Sequence, residues 1–156
     1  MSLYLTSDAF EPNQPIPRRF TKEGENVSPA LSWQGEPAHT ASFAVLMEDP
    51  DAPRGVFTHW VCFNIPAQTH GLPSGVPRRG TLGEGTTHGK NDFGGLGYDG
   101  AQPPPGSPHH YHFAVYALDA RLPLREGASK QEVLRAMQGH VLEQAELIGL
   151  YQHQGR

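Results

Sequence analysis

One cysteine, Cys62, stands among 156 residues, so no disulfide can close within the chain and nothing asks for an oxidising compartment. A structural zinc site built on several thiolates is excluded for the same reason. Charge is scarce: Asp, Glu, Lys and Arg make up 18% of the residues, against about 25% in an ordinary soluble domain. Basic residues are the minority, 12 against 16 acidic ones, for a formal net charge of -4 with neither sign gathered into a block. A general nucleic-acid binder carries the opposite balance. Long apolar runs are missing too. The purest covers residues 43–47, far below the roughly 18 residues of a membrane span. The first residues, MSLYLTSDAF, have neither the basic nor the apolar region of a signal peptide. These absences lead to the expectation of a cytoplasmic protein folding as one domain over residues 1–156.

What the chain has in abundance is glycine, 18 residues, and proline, 15, so loops are plentiful. Between them, short apolar stretches recur with the period of strands. Residues 41–48 (ASFAVLME), 56–65 (VFTHWVCFNI) and 111–118 (YHFAVYAL) are dense in β-formers and apolar on both parities, as in central strands covered on both faces. Strict alternation in the second puts Phe57, His59, Val61, Phe63 and Ile65 on one face and Trp60 and Cys62 on the other. Residues 3–7 and 27–33 are weaker candidates. Residues 66–108 hold most of the Gly and Pro and read as a loop without a strong strand, packed rather than flexible because it carries Phe93 and Tyr98. One helix is signalled by Ser129 and Glu132 as a capping box, by an apolar stripe of Val133, Leu134 and Met137, and by Gly139 as its stop. Residues 141–151 read as a last strand, with a continued helix as the alternative. The expected class is all-β with a short C-terminal helical element.

Three stretches could carry chemistry. In Asp49-Pro50-Asp51-Ala52-Pro53, two prolines fix φ and stiffen an acidic turn, although such a turn can simply cap its own backbone. His59 lies in the strand that follows, where a histidine is often just a satisfied core residue. Residues 97–111 combine Gly97 and Gly100, a wall of prolines at 103–105, and His109 and Tyr111 where the next strand begins. In a strand, His109 and Tyr111 share one face while His110 and His112 take the other.

These stretches, D-P-D-A-P at 49–53, T-H-W-V at 58–61, G-Y-x-G-x-x-P-P-x-G at 97–106 and H-x-Y at 109–111, resemble the phosphatidylethanolamine-binding protein family. F-N-I-P at 63–66 and G-H-V-L-E-Q-A-E-L-I-G at 139–149 are similar to its compact bacterial, Raf kinase inhibitor-like branch. The resemblance implies a Greek-key β-sandwich with a pocket for phosphate or another small anion, as from a phospholipid head group. The pocket positions it implies are Asp49, Asp51, His59, Pro103, Pro104, His109 and Tyr111, with Pro50, Pro53, Gly97 and Gly100 shaping the loops. It implies no catalytic residue, metal or cofactor. Relatives in animals and plants act by binding other proteins, a kinase among them, so a protein partner and a homodimer are further expectations. The chain departs from the usual pattern at Gly100-Ala101, where Gly-Pro is common, and at His109-His110-Tyr111, where His-Arg-Tyr is usual. The second change removes a permanent positive charge.

Two aspartates in an anion site need an explanation. The expectation is that Asp49 and Asp51 face away from the anion and accept hydrogen bonds from His59, His109 or loop N–H groups, whose outward donors then meet it. Affinity should rise as pH falls through about 6.5, the ordinary histidine value. As a rim residue, His109 should be replaceable by Ala with little loss of stability. The alternative is a metal-dependent or acid/base hydrolase using the same side chains. Against it, no H-E-x-x-H or G-x-S-x-G motif occurs, and Ser107 lies between Gly106 and Pro108 without an evident base.

Overall fold

The computed structural model describes residues 2–154. Among them, strands β1 (Tyr4–Thr6), β2 (Leu31–Gln34), β3 (Ser42–Asp49), β4 (Phe57–Pro66), β5 (Gly71–Leu72), β6 (Thr87–His88), β7 (His109–Leu118) and β8 (Val141–Tyr151) are joined by one α-helix, α1 (Lys130–Met137). They form two antiparallel sheets, ordered β1-β2-β5 and β6-β4-β3-β7-β8. The first expected weak strand shortens to β1, and the second moves along the chain to β2.

The period-two pattern of β3 explains the layering. Phe43, Val45 and Met47 pack with Leu5, Leu31 and Trp33 between the sheets, whereas Ala44 and Leu46 pack with Val133 and Met137 of α1 on the far side. The strand therefore needs apolar residues on both parities. Each large side chain buried this way contributes about 1.5–3 kcal/mol.

Strict alternation fails in β4. Its pairing with β3 steps from Phe43↔Ile65 to Val45↔Cys62, and again from Met47↔Trp60 to Glu48↔Thr58. Each step leaves one extra residue in β4, which is a β-bulge. Ile65 consequently joins Trp60 and Cys62 between the sheets, while Val61 and Phe63 face α1. The single-face reading of residues 57–65 is thus corrected. At the first bulge Asn64 takes φ 55°, and its side chain is held at both ends, donating to the Leu122 carbonyl at 3.0 Å and accepting from Leu122 N at 2.7 Å. The second bulge falls on His59.

The capping box forms as expected: Ser129 Oγ accepts from Glu132 N at 3.1 Å and Glu132 Oε1 accepts from Ser129 N at 2.9 Å. Of the expected stripe, Val133 and Met137 are buried but Leu134 is exposed. After Gly139, at φ 81°, residues 141–151 run as a strand paired with β7 from Leu118↔Val141 to His109↔Tyr151. The helical alternative is set aside by that ladder. The long loop carries only the two short strands β5 and β6, yet it is anchored: Tyr98 is buried and its hydroxyl donates to the Phe20 carbonyl at 2.6 Å. Among the described residues, no helix is long and apolar enough to cross a membrane.

Candidate functional site

β3 lies between β4 and β7 in the large sheet, so the acidic turn at the end of β3 and the histidines at the start of β7 are brought side by side. Glu48 pairs with His112 on one side and Thr58 on the other. Next to this point opens a cavity of about 450 Å³, lined by Asp49, Ala52, Pro53, Phe57, His59, Phe93, Gln102, Pro103, Pro104, Pro105, His109, Tyr111 and His153.

Asp49 is 3% exposed, and both of its oxygens are engaged. Oδ2 accepts from His109 Nδ1 at 2.7 Å, and Oδ1 accepts from Asp51 N at 2.8 Å. A buried carboxylate of this kind orients its donors. Asp51 does not line the cavity. Its Oδ2 accepts from both the backbone N and Nδ1 of His110, each at 2.7 Å, and these bonds hold its carboxyl below the usual range. Asp51 therefore ties the acidic turn to the start of β7. The side chain at 110, where the resemblance led to the expectation of an arginine, is spent on that tie.

Of the donors expected for the two aspartates, His109 and loop N–H groups are found, and His59 is not among them. His59 Nδ1 lies 2.8 Å from the backbone carbonyl of Asp99, on the long loop, which can only accept. The bulge turns this ring away from the α1 side and into a cluster with Phe57 at 5.0 Å, Phe93 at 5.5 Å and Tyr111 at 5.4 Å between ring centroids. Burial pushes the His59 pKa below its ordinary value, against the opposing pull of the Asp99 and Gly100 carbonyls and the charge of Asp49. Tyr111 is fully buried and its hydroxyl has no hydrogen-bond partner. Asp49 and the Gln102 backbone are nevertheless close enough to act on it. Burial first, then the Asp49 charge, pushes its pKa up.

The far wall is Gln102 and the three prolines. The two glycines before it do different work. Gly97 has φ 87°, a conformation that L side chains rarely adopt, whereas at Gly100 a Cβ would lie 2.3 Å from the Phe20 carbonyl oxygen. Gly100 is thus a close approach rather than a turn. Pro53 lines the cavity, while Pro50 stiffens the turn without lining it.

Sequence reasoning missed Phe57, Phe93, Gln102 and His153 as lining residues, and it missed Asp99 altogether. Asp99 is a hub: Asn26 Nδ2 donates to its Oδ1 and Asn91 Nδ2 to its Oδ2, both at 3.0 Å, with Lys22 Nζ 3.5 Å from Oδ1. Lys22 Nζ also sits 3.7 Å from the centroid of the Phe93 ring, an electrostatically favourable cation-on-ring contact. The only available signal for Asp99 was its place inside the glycine-tyrosine motif, and no spacing rule pointed to its partners. Among the described residues, no group of three or more His, Cys, Asp or Glu side chains is arranged to hold a metal ion.

The family model for phosphatidylethanolamine-binding proteins matches residues 6–152. The chain belongs to the phosphatidylethanolamine-binding protein family. It is 53% identical over 147 residues to a UPF0098 protein of Methanothermobacter thermautotrophicus, covering 94% of this chain and 97% of that one. It is 42% identical to YbhB of Escherichia coli, over 83% of this chain and 84% of that one. Among solved structures, YbcL of Escherichia coli superposes with a TM-score of 0.92 at 36% identity, covering 99% of this chain and all of that one. A family homologue from Chlamydia trachomatis gives 0.89 at 34%, over 97% and 98%. These likenesses bear out the expected family and fold, and the archaeal relative extends the resemblance beyond the bacterial branch.

Proposed function

We propose that this family member is a non-enzymatic binding protein whose cavity takes a small phosphate-bearing anion, such as a phospholipid head group, and through that occupancy serves a regulatory role with a protein partner. The observation that carries the reading is the convergence on one cavity of His109, His59 and Tyr111, with the Asp49 carboxylate turned to the back of His109. Both oxygens of Asp49 are occupied by protein donors, so its charge is partly spent before a ligand arrives. The Tyr111 hydroxyl, buried without a partner, is a polar group for which a ligand oxygen would be a natural mate. Phe57, Phe93 and the prolines supply the apolar walls expected around a few converging polar groups.

The test is an amide-resolved NMR titration in separate arms, with inorganic phosphate and with glycerophosphoethanolamine, the water-soluble head-group diester. Saturable shifts at Asp49, His59, His109 and Tyr111 in either arm support the reading, and a preference for the diester identifies the head group as the source. Absence of saturable shifts at these residues in both arms, repeated at about pH 6 where histidines charge, overturns it.

A further inference from the structure

The cavity presents a difficulty for any anion. Among the described residues, no lysine or arginine lines it. Lys22 lies on the Phe93 ring and beside Asp99, and the guanidinium of Arg78 is committed to the Tyr98 and Asn26 carbonyls. The polar groups left to meet a ligand are the Gln102 amide, Tyr111 and the histidines, and the tautomers of His109 and His59 follow from their partners. A carboxylate only accepts, so the 2.7 Å contact between His109 Nδ1 and Asp49 Oδ2 places the single proton of the neutral ring on Nδ1. The Asp99 carbonyl dictates the same for His59 at 2.8 Å. The other ring nitrogen of His109, Nε2, is then a bare lone pair, with no hydrogen bond to it among the described residues. An oxyanion entering the cavity would meet an acceptor where it needs a donor.

Resting on the anion-binding reading above, we infer that ligand and proton enter together: one proton is taken up per anion bound, and it lodges on His109 Nε2. Uptake converts that atom from acceptor to donor and leaves an imidazolium between the ligand and the Asp49 carboxylate. His109 is favoured over His59 because the partner behind it is an ion, whereas His59 is backed by a neutral carbonyl and is more deeply desolvated. The charged and titratable groups around His109 are Asp49 at the end of β3, Asp51 in the following turn, His59 on β4, His110 and Tyr111 on β7, and His153 in the C-terminal segment, itself 3.4 Å from Glu23. The fixed charges among the nearest of these are negative, which favours a cation on His109 once a ligand has excluded water.

The test uses glycerophosphoethanolamine, whose phosphodiester does not titrate near neutrality, so any proton taken up belongs to the protein. Calorimetry just above neutrality, in buffers of different ionisation enthalpy, should report uptake approaching one proton per ligand. The affinity should fall about tenfold per pH unit above neutrality, the linkage expected for one coupled proton. Long-range imidazole NMR should find His109 with its proton on Nδ1 alone in the free protein and on both nitrogens in the complex. His109→Gln should bind weakly with no pH slope, while His59→Gln keeps the slope. Binding with no uptake and a flat pH profile overturns this inference and leaves the anion-binding reading standing, as does a slope that survives in His109→Gln. No binding of the diester at any pH overturns both.

Discussion

His109 and Asp49 behave as a pair, which revises the expectation that replacing His109 weakens ligand binding but leaves stability nearly intact. His109 is only 9% exposed, and its ring donates to the carboxylate of Asp49, a residue only 3% exposed. His109→Ala leaves that oxygen without its protein donor, so a loss of about 1–3 kcal/mol in denaturant unfolding accompanies the loss of ligand affinity. Unchanged stability would mean that solvent in the cavity replaces the bond. Gly100→Ala tests a different kind of necessity. Its Cβ would meet the backbone oxygen of Phe20 at 2.3 Å, and an enforced shift of this kind costs about 1–3 kcal/mol. A thermal midpoint equal to wild type would contradict that contact. At this scale the sequence was legible only in part. Asp49, His59, His109 and Tyr111 were expected through the resemblance to the family, since by type alone an acidic turn reads equally as a backbone cap and a strand histidine as a satisfied core residue. Phe57 and His153 could not be singled out, because nothing in a phenylalanine or a near-terminal histidine distinguishes a cavity wall from core or surface.

The elements show where periodicity informs and where it misleads. β3, β7 and the capped helix were visible because each is apolar at its own period and bounded by turn or capping residues. Ser129→Ala should cost about 1 kcal/mol of stability, since it removes the side-chain half of the capping box, the oxygen that accepts from Glu132 N, and leaves only the backbone N of residue 129 bonded to Glu132. A change indistinguishable from zero in chemical denaturation would mean that packing of Val133 and Met137 alone holds α1. β4 was visible as a strand but not in its facing. The bulges at His59 and Asn64 insert residues that no period-two count can foresee, and the first of these two aims the histidine into the cavity. The signal for the other, in hindsight, is an asparagine inside an apolar strand: Asn is among the few residues that tolerate φ 55°. The short strands β5 and β6 escaped because two residues carry no period at all.

At the scale of the whole molecule, the meeting of two stretches about fifty positions apart could be inferred only from the resemblance to the family, because sheet order cannot be read from any single segment. The packed state also carries a pH dependence. His59 and His88 are both held below the ordinary histidine value of 6.5, chiefly by burial. The unfolded chain binds these protons first as the pH falls. Stability is therefore fully present above about 6.5 and is lost as the pH drops through the folded values. Denaturant midpoints should decline from about pH 7 to about pH 5, with a shallower decline in His88→Gln, which lies outside the cavity. A variant with the wild-type slope would remove His88 from that explanation.

The most direct measurement of the central claim is a crystal structure of this protein soaked with glycerophosphoethanolamine below neutral pH. The expected result is phosphorus density inside the cavity walled by Phe57, Phe93 and the 103–105 prolines, with a phosphate oxygen within hydrogen-bond distance of His109 Nε2 and another near the Tyr111 hydroxyl. An empty cavity beside a well-ordered ligand bound elsewhere, or a phosphate turned away from His109, would contradict it.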